Sequence, residues 1–174
     1  MTKGLPRSLS RANKGKAAIV KDRINLADKV VTVSAAGAGV GFGSVVISDF
    51  PEGNILLVGV GGTVGFTGSG ADANLVDTWE GDFAVGSTPA DDATVTAADV
   101  DIVASTATGA ATAEAIAAQR VVEAHADTIL DNTDGSLEVN FNLLIDAADI
   151  TDATSVDITL SGVLDLAYVV LGDD

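Results

Sequence analysis

The run Asn54–Thr67, NILLVGVGGTVGFT, constrains the fold of this chain more than any other segment. It is almost wholly apolar, yet Gly59, Gly61, Gly62 and Gly65 lie inside it. Each glycine inside a helix costs about 1 kcal/mol relative to alanine, so four in fourteen residues exclude a stable helix. A strand tolerates them at bulges, bends and places where another backbone comes close. The same glycines, and a length short of 18 apolar residues, argue against a membrane-spanning helix.

Other segments repeat the strand signal. Lys29–Val33 alternates and is rich in β-branched residues, and Val40–Phe50 leads through the turn Pro51-Glu52-Gly53 into the glycine-laced run. Leu75–Val85 around Trp79 and Thr94–Ser105 are further expected strands. In Leu137–Leu143, Leu137, Val139, Phe141 and Leu143 fall on one face and Glu138, Asn140 and Asn142 on the other. Val156–Leu160 alternates as well, and Val163–Leu171 reads as a last, more central strand. Ala110–Asp127 is ambiguous: it holds good helix formers, with Glu114, Arg120 and Glu123 able to share a polar face. Its neighbours incline it to a strand at Ile116–Val122. About eight strands with no βαβ alternation predict an all-β protein, an antiparallel β-sandwich or jelly-roll-like body.

Charge divides the chain more sharply than hydropathy does. The formal net charge is -16 over 174 residues. Residues 1–29 nevertheless hold eight of the nine cations against two acids, a net +6. The remainder holds Arg120 against 23 acids, a net -22. The expected organisation is an extended basic N-terminal arm over 1–28 and a single β-sandwich domain over 29–174. Within the arm the longest apolar stretch is Ala17–Val20, too short for a secretory signal, and its Gly and Pro breaks weaken an amphipathic transit helix. Such a tail suits contact with phosphates or with an acidic protein surface. The acidic body repels a duplex, so an acidic protein surface is the expected partner and nucleic acid is not. Abundant acid alone also suits solubility in concentrated salt, but that does not explain why the cations are confined to one end.

The composition gives little purchase for chemistry. There is no cysteine and one histidine, His125, which stands in no G-x-S-x-G context. Gly37, Gly39, Gly41 and Gly43 recur at every second position and not as G-x-G-x-x-G, and strand residues follow them. No carboxylate pair stands out as a glycosidase couple. The expected protein is not an enzyme and carries no cofactor. Calcium is the one metal with suitable ligands, at Asp131 and Asp134, at Asp146, Asp149 and Asp152, or at Asp72, Asn74 and Asp77. None of these matches an EF-hand, and Asp and Asn are ordinary turn formers.

Three segments resemble small structural proteins of tailed bacteriophages: the basic Gly/Pro/Arg start, Ser48–Leu56 (SDFPEGNIL), and Ile129–Asp174 ending in LGDD. The resemblance implies a virion protein of the capsid decoration, or cement, type: β-rich, trimeric, made in the host cytoplasm and bound to the capsid exterior. The implied partners are the major capsid protein and other copies of the chain, with no membrane involved. Under that reading Lys3, Arg7, Arg11, Lys14, Lys16, Lys21 and Arg23 grip capsid or neighbouring subunits. The alternative is a host-surface-binding vertex or fibre protein, or an adhesin module, stabilised by calcium.

Overall fold

The computed structural model describes residues 18–35, 39–70, 73–126 and 128–172. These form ten strands: β1 (Val20–Asn25), β2 (Val30–Ala35), β3 (Gly41–Asp49), β4 (Asn54–Thr67), β5 (Gly81–Gly86), β6 (Val103–Ala107), β7 (Ala115–Ala124), β8 (Ile129–Leu130), β9 (Glu138–Ile145) and β10 (Ser155–Gly172). All pairings are antiparallel, in the order β6-β5-β9-β3-β2-β10-β4-β7. β1 pairs with β10, and β8 with β4. The one helical element among the described residues is a 3-10 turn, Ala97–Asp99.

The sheet curls into two facing layers. Phe66 on β4 lies 5.5 Å from Phe83 on β5 and 6.0 Å from Phe141 on β9, between ring centroids. β5 and β9 lie at one end of the strand order and β4 near the other, so these contacts cross the core. Phe83 and Phe141 stack at 5.8 Å, and Trp79 meets Phe66 edge-on at 6.1 Å. Each such aromatic pair adds about 0.5–1.5 kcal/mol beyond its burial. Ile55, Leu57, Val64, Val31, Ile158, Leu160 and Leu164 complete the packed interior.

β10 organises the rest. Along one edge it pairs first with β2 through Ser155–Thr159 and then with β1 through Val163–Tyr168. Its other edge runs beside β4 from Thr159 to Gly172. The expected strands Val156–Leu160 and Val163–Leu171 are thus one strand, continuous through Gly162. That glycine has φ +102°, and a Cβ there would sit 2.1 Å from the Thr63 carbonyl oxygen. Only glycine lets the two backbones approach so closely while the strand changes neighbours.

Several expectations are corrected. The segment Thr94–Ser105 is a strand only from Val103, because local side chains capture its backbone instead. Asp92 Oδ1 accepts from the Thr94 N–H at 2.7 Å, and Asp99 Oδ2 from the Thr96 N–H at 3.3 Å. Around Trp79 the chain turns and the strand begins at Gly81; the indole Nε1 donates to the Glu114 carbonyl at 3.0 Å. Residues 115–124 form β7, in keeping with the inclination towards a strand there, whereas Glu114 is buried and accepts the Gly70 N–H at 2.9 Å. Of the expected polar face of β9 only Glu138 is exposed; Asn140 and Asn142 are as buried as Phe141. Finally, residues 20–25, expected to belong to the arm, are a strand of the sheet with Ile24 buried, so the 28/29 boundary does not separate arm from body.

Candidate functional site: an exposed sheet face

The registers of β1, β10, β4 and β7 put three rows of side chains on one face. The first row is Asn25, Val163, Thr63 and Arg120. The second is Arg23, Asp165, Gly61 and Val122, and the third is Lys21, Ala167, Gly59 and Ala124. Directly paired residues share a face, and the alternate residues Ile24, Leu164 and Val121 are buried, so these rows point away from the core. The exterior face of an antiparallel sheet is ordinarily polar. Here glycine, alanine and valine fill half the positions, and Val122 is 64% exposed.

Glycine gives this face its shape. A hollow of about 470 Å³ lies over Gly59, Gly61 and Ala167, with Lys21, Arg23 and the acids Asp22, Glu123 and Asp165 around it. The lack of a side chain at Gly59 answers a close approach, since a Cβ would lie 2.8 Å from the Glu123 carbonyl oxygen. At Gly61 no atom comes within 4 Å of where a Cβ would stand, and its φ is not positive. The fold does not require glycine there; its effect is an open floor.

The three rows themselves carry a charge opposite to that of the molecule. The described residues include four cations, Lys21, Arg23, Lys29 and Arg120, and 21 acids. Three of the cations and one acid, Asp165, lie in the three rows. Arg23 Nε lies 3.6 Å from Asp165 Oδ1, with both side chains largely exposed, a geometry worth little in stability. The result is a cationic strip on an acidic body.

Of the seven expected arm cations, Lys21 and Arg23 stand together on this face, while Lys3, Arg7, Arg11, Lys14 and Lys16 lie outside the described residues. The reading that placed Lys21 and Arg23 in the arm missed their partnership with Arg120, which only the β1–β10–β4–β7 register reveals.

The calcium candidates are turn residues. Asp131 Oδ1 accepts from Thr133 N–H and hydroxyl at 3.1 and 2.8 Å, and Asp134 Oδ1 from Ser136 N–H and hydroxyl at 3.0 and 2.7 Å. These bonds hold both carboxyls below the usual range. Asp146 lies beside Glu80 and Asp82 at a hollow of about 180 Å³, and Asp149 Oδ2 accepts the Glu80 N–H at 2.9 Å. Asp152 is exposed in the following turn. Among the described residues no group of three or more His, Cys, Asp or Glu is placed to hold a metal ion. Asp72 lies outside the described residues.

His125 has a structural position. Its Nε2 lies 2.8 Å from the Ile102 carbonyl and its Nδ1 3.3 Å from the Thr128 hydroxyl. A neutral ring satisfies both by donating from Nε2 and accepting at Nδ1. The ring thereby ties the residue after β7 to the residue before β6, the two ends of the strand order. Asp101 lies next to Ile102, and its carboxyl is pushed above the usual range by burial, which outweighs the lowering by Ser87.

No protein-family model matches the sequence. No curated protein matches it either. Among solved structures, a chain in the structure of infectious bursal disease virus Gt strain aligns over 96% of this chain and 37% of that one, at 11% identity and a TM-score of 0.38. A chain in the structure of the Gx strain aligns over 87% and 33%, at 12% identity and a TM-score of 0.34. This chain therefore spans about a third of the length of those it aligns with.

Proposed function

We propose that this chain is a non-enzymatic virion structural protein, a capsid decoration protein of a tailed phage that binds the shell exterior and stabilises the head. The observation that carries the reading is the placement of charge on a rigid all-β body. Residues 1–17 hold five cations and no acid, and they join the body at the start of β1. The body is strongly acidic and closed around an aromatic core. The segment resemblance supplies the class of partner, the major capsid protein together with further copies of this chain in a trimer. A basic segment laid along an acidic partner adds a coulombic attraction that salt weakens, and many copies on one shell offset modest affinity at each contact.

Deleting residues 2–17 tests this, because it removes the five cations and leaves β1 intact. The truncated protein, mixed with undecorated heads, is expected to lose the occupancy shown by the full chain. Raising salt to about 1 M, where the screening length falls to about 3 Å, is expected to weaken the full chain in the same direction. Undiminished occupancy of the truncated protein overturns the role of the basic segment.

A further inference from the structure

We propose that the outer face of β1, β10, β4 and β7 is the surface on which a second copy of this chain docks, with the partner copy's acidic exterior laid across Lys21, Arg23 and Arg120. The proposal rests on the self-association part of the reading above and not on the capsid.

Three independent observations converge on it. First, half the positions of this exterior face are glycine, alanine or valine, with Val122 the most exposed large apolar side chain among the described residues. Second, Gly61 is not required by φ or by packing, and glycine inside a strand weakens it. What it leaves is a shallow floor beside Val122, suited to receiving a neighbour's surface. Third, the face holds three of the four described cations and one of the 21 described acids.

The charge identifies the occupant. Two molecules of net charge -16 repel each other in most orientations. The repulsion reverses where this strip meets the acidic exterior of the other copy. A positive face on one copy against a negative surface on the next is a heterologous contact, which closes into a ring when the rotation between copies allows. The strip thus sets which relative orientations of two copies attract.

Sedimentation equilibrium of the full chain, without heads, tests the proposal at micromolar protein and about 0.1 M salt, where the screening length is about 10 Å. The expected result is a species heavier than the 17.3 kDa chain. The double variant Arg23→Glu, Arg120→Glu and the single variant Val122→Glu are each expected to sediment as monomers. Val76→Glu, at an exposed position outside the face, is expected to keep the parent mass. All these side chains are exposed, and unchanged emission from the buried Trp79 verifies the fold of each variant. A 17.3 kDa species at every concentration overturns the proposal. So does an oligomer that survives both face variants, or one lost equally in Val76→Glu. Retention of a DNA duplex that Arg23→Glu, Arg120→Glu abolishes, with no change in mass, assigns the face to nucleic acid instead.

Discussion

Replacing Asn142 with leucine is expected to loosen the 87–101 segment from β9 and cost a substantial part of the protein's stability. Asn142 is fully buried, on the opposite face of β9 from Phe141. Its Oδ1 accepts the Ala90 N–H at 2.9 Å, and its Nδ2 donates to the Thr88 and Asp99 carbonyls at 3.1 and 2.8 Å. One side chain thus holds three backbone groups of a segment that has little regular structure of its own. Leucine is similar in volume, so the cavity term is small and the cost is that of lost hydrogen bonds. The buried Ala90 N–H, left without a partner, costs about 1–3 kcal/mol. The two carbonyls are only partly buried and recover some hydration, so about 0.5–1.5 kcal/mol applies to each. The expected loss is about 2–6 kcal/mol in total. Urea unfolding followed through Trp79, the only tryptophan, reads this directly, with the m-value unchanged. Limited proteolysis should open first between residues 91 and 95. A loss below about 1 kcal/mol, or unchanged protection of the segment, would refute the assignment of Asn142 as its anchor.

Gly162→Ala is expected to destabilise by more than about 3 kcal/mol, since both a positive φ and the Thr63 carbonyl oppose a side chain. Gly61→Ala should be neutral or stabilise by about 0.4–1 kcal/mol; equal losses in the two, measured by thermal melts, would show that Gly61 is also structural. The pH profile should have two limbs of opposite sign. The folded carboxyls of Asp131 and Asp134 lie below the usual range, so their stabilisation is present above it and is lost as pH falls through the folded values. Asp101 is raised by burial, so the folded state holds its proton longer and stability falls as pH rises through that window. Asp131→Asn with Asp134→Asn should flatten the acid limb, and Asp101→Asn the opposing one. Melting curves across pH that superimpose on the parent would contradict these assignments.

What could be read from the sequence follows from where each residue's hydrogen bonds go. β4 was legible to the residue because an apolar, glycine-rich run has few other ways to satisfy its backbone. The segment 94–102 imitates a strand in its Thr, Val and Ala content, yet Asp92 and Asp99 take the Thr94 and Thr96 N–H groups and divert the chain into turns. Asn142 sits where alternation predicts solvent, and period-two reasoning has no means of knowing that another segment will cover that face. β1 carries Lys21, Asp22 and Arg23 in six residues, which reads as a solvated tail. It is a strand because β10 is long enough to offer it an edge. The cationic strip was illegible for a related reason: each strand supplies only one residue per row, and Arg23 and Arg120 lie 97 positions apart until three registers bring them into adjacent rows.

That β1 belongs to the sheet also changes how the basic end must be dissected. A deletion through residue 24 would remove five strand positions along with Lys21 and Arg23, and it would strip the cover from Leu164 and Leu166 beside Ile24. Any loss of assembly after such a cut would mix unfolding of an edge, loss of the exposed strip and loss of the upstream cations. A cut after residue 17 removes only the last of these, whereas reversal at Arg23 and Arg120 removes only the strip. If occupancy on heads depends on the first perturbation and the sedimenting mass on the second, the seven cations up to Arg23 divide into two groups with separate work. The upstream group then serves contact with the shell, and the group fixed on β1 serves contact between copies. If a single perturbation abolishes both, the two contacts are one cooperative interface, and the strip and the upstream cations act together on the same acidic surface.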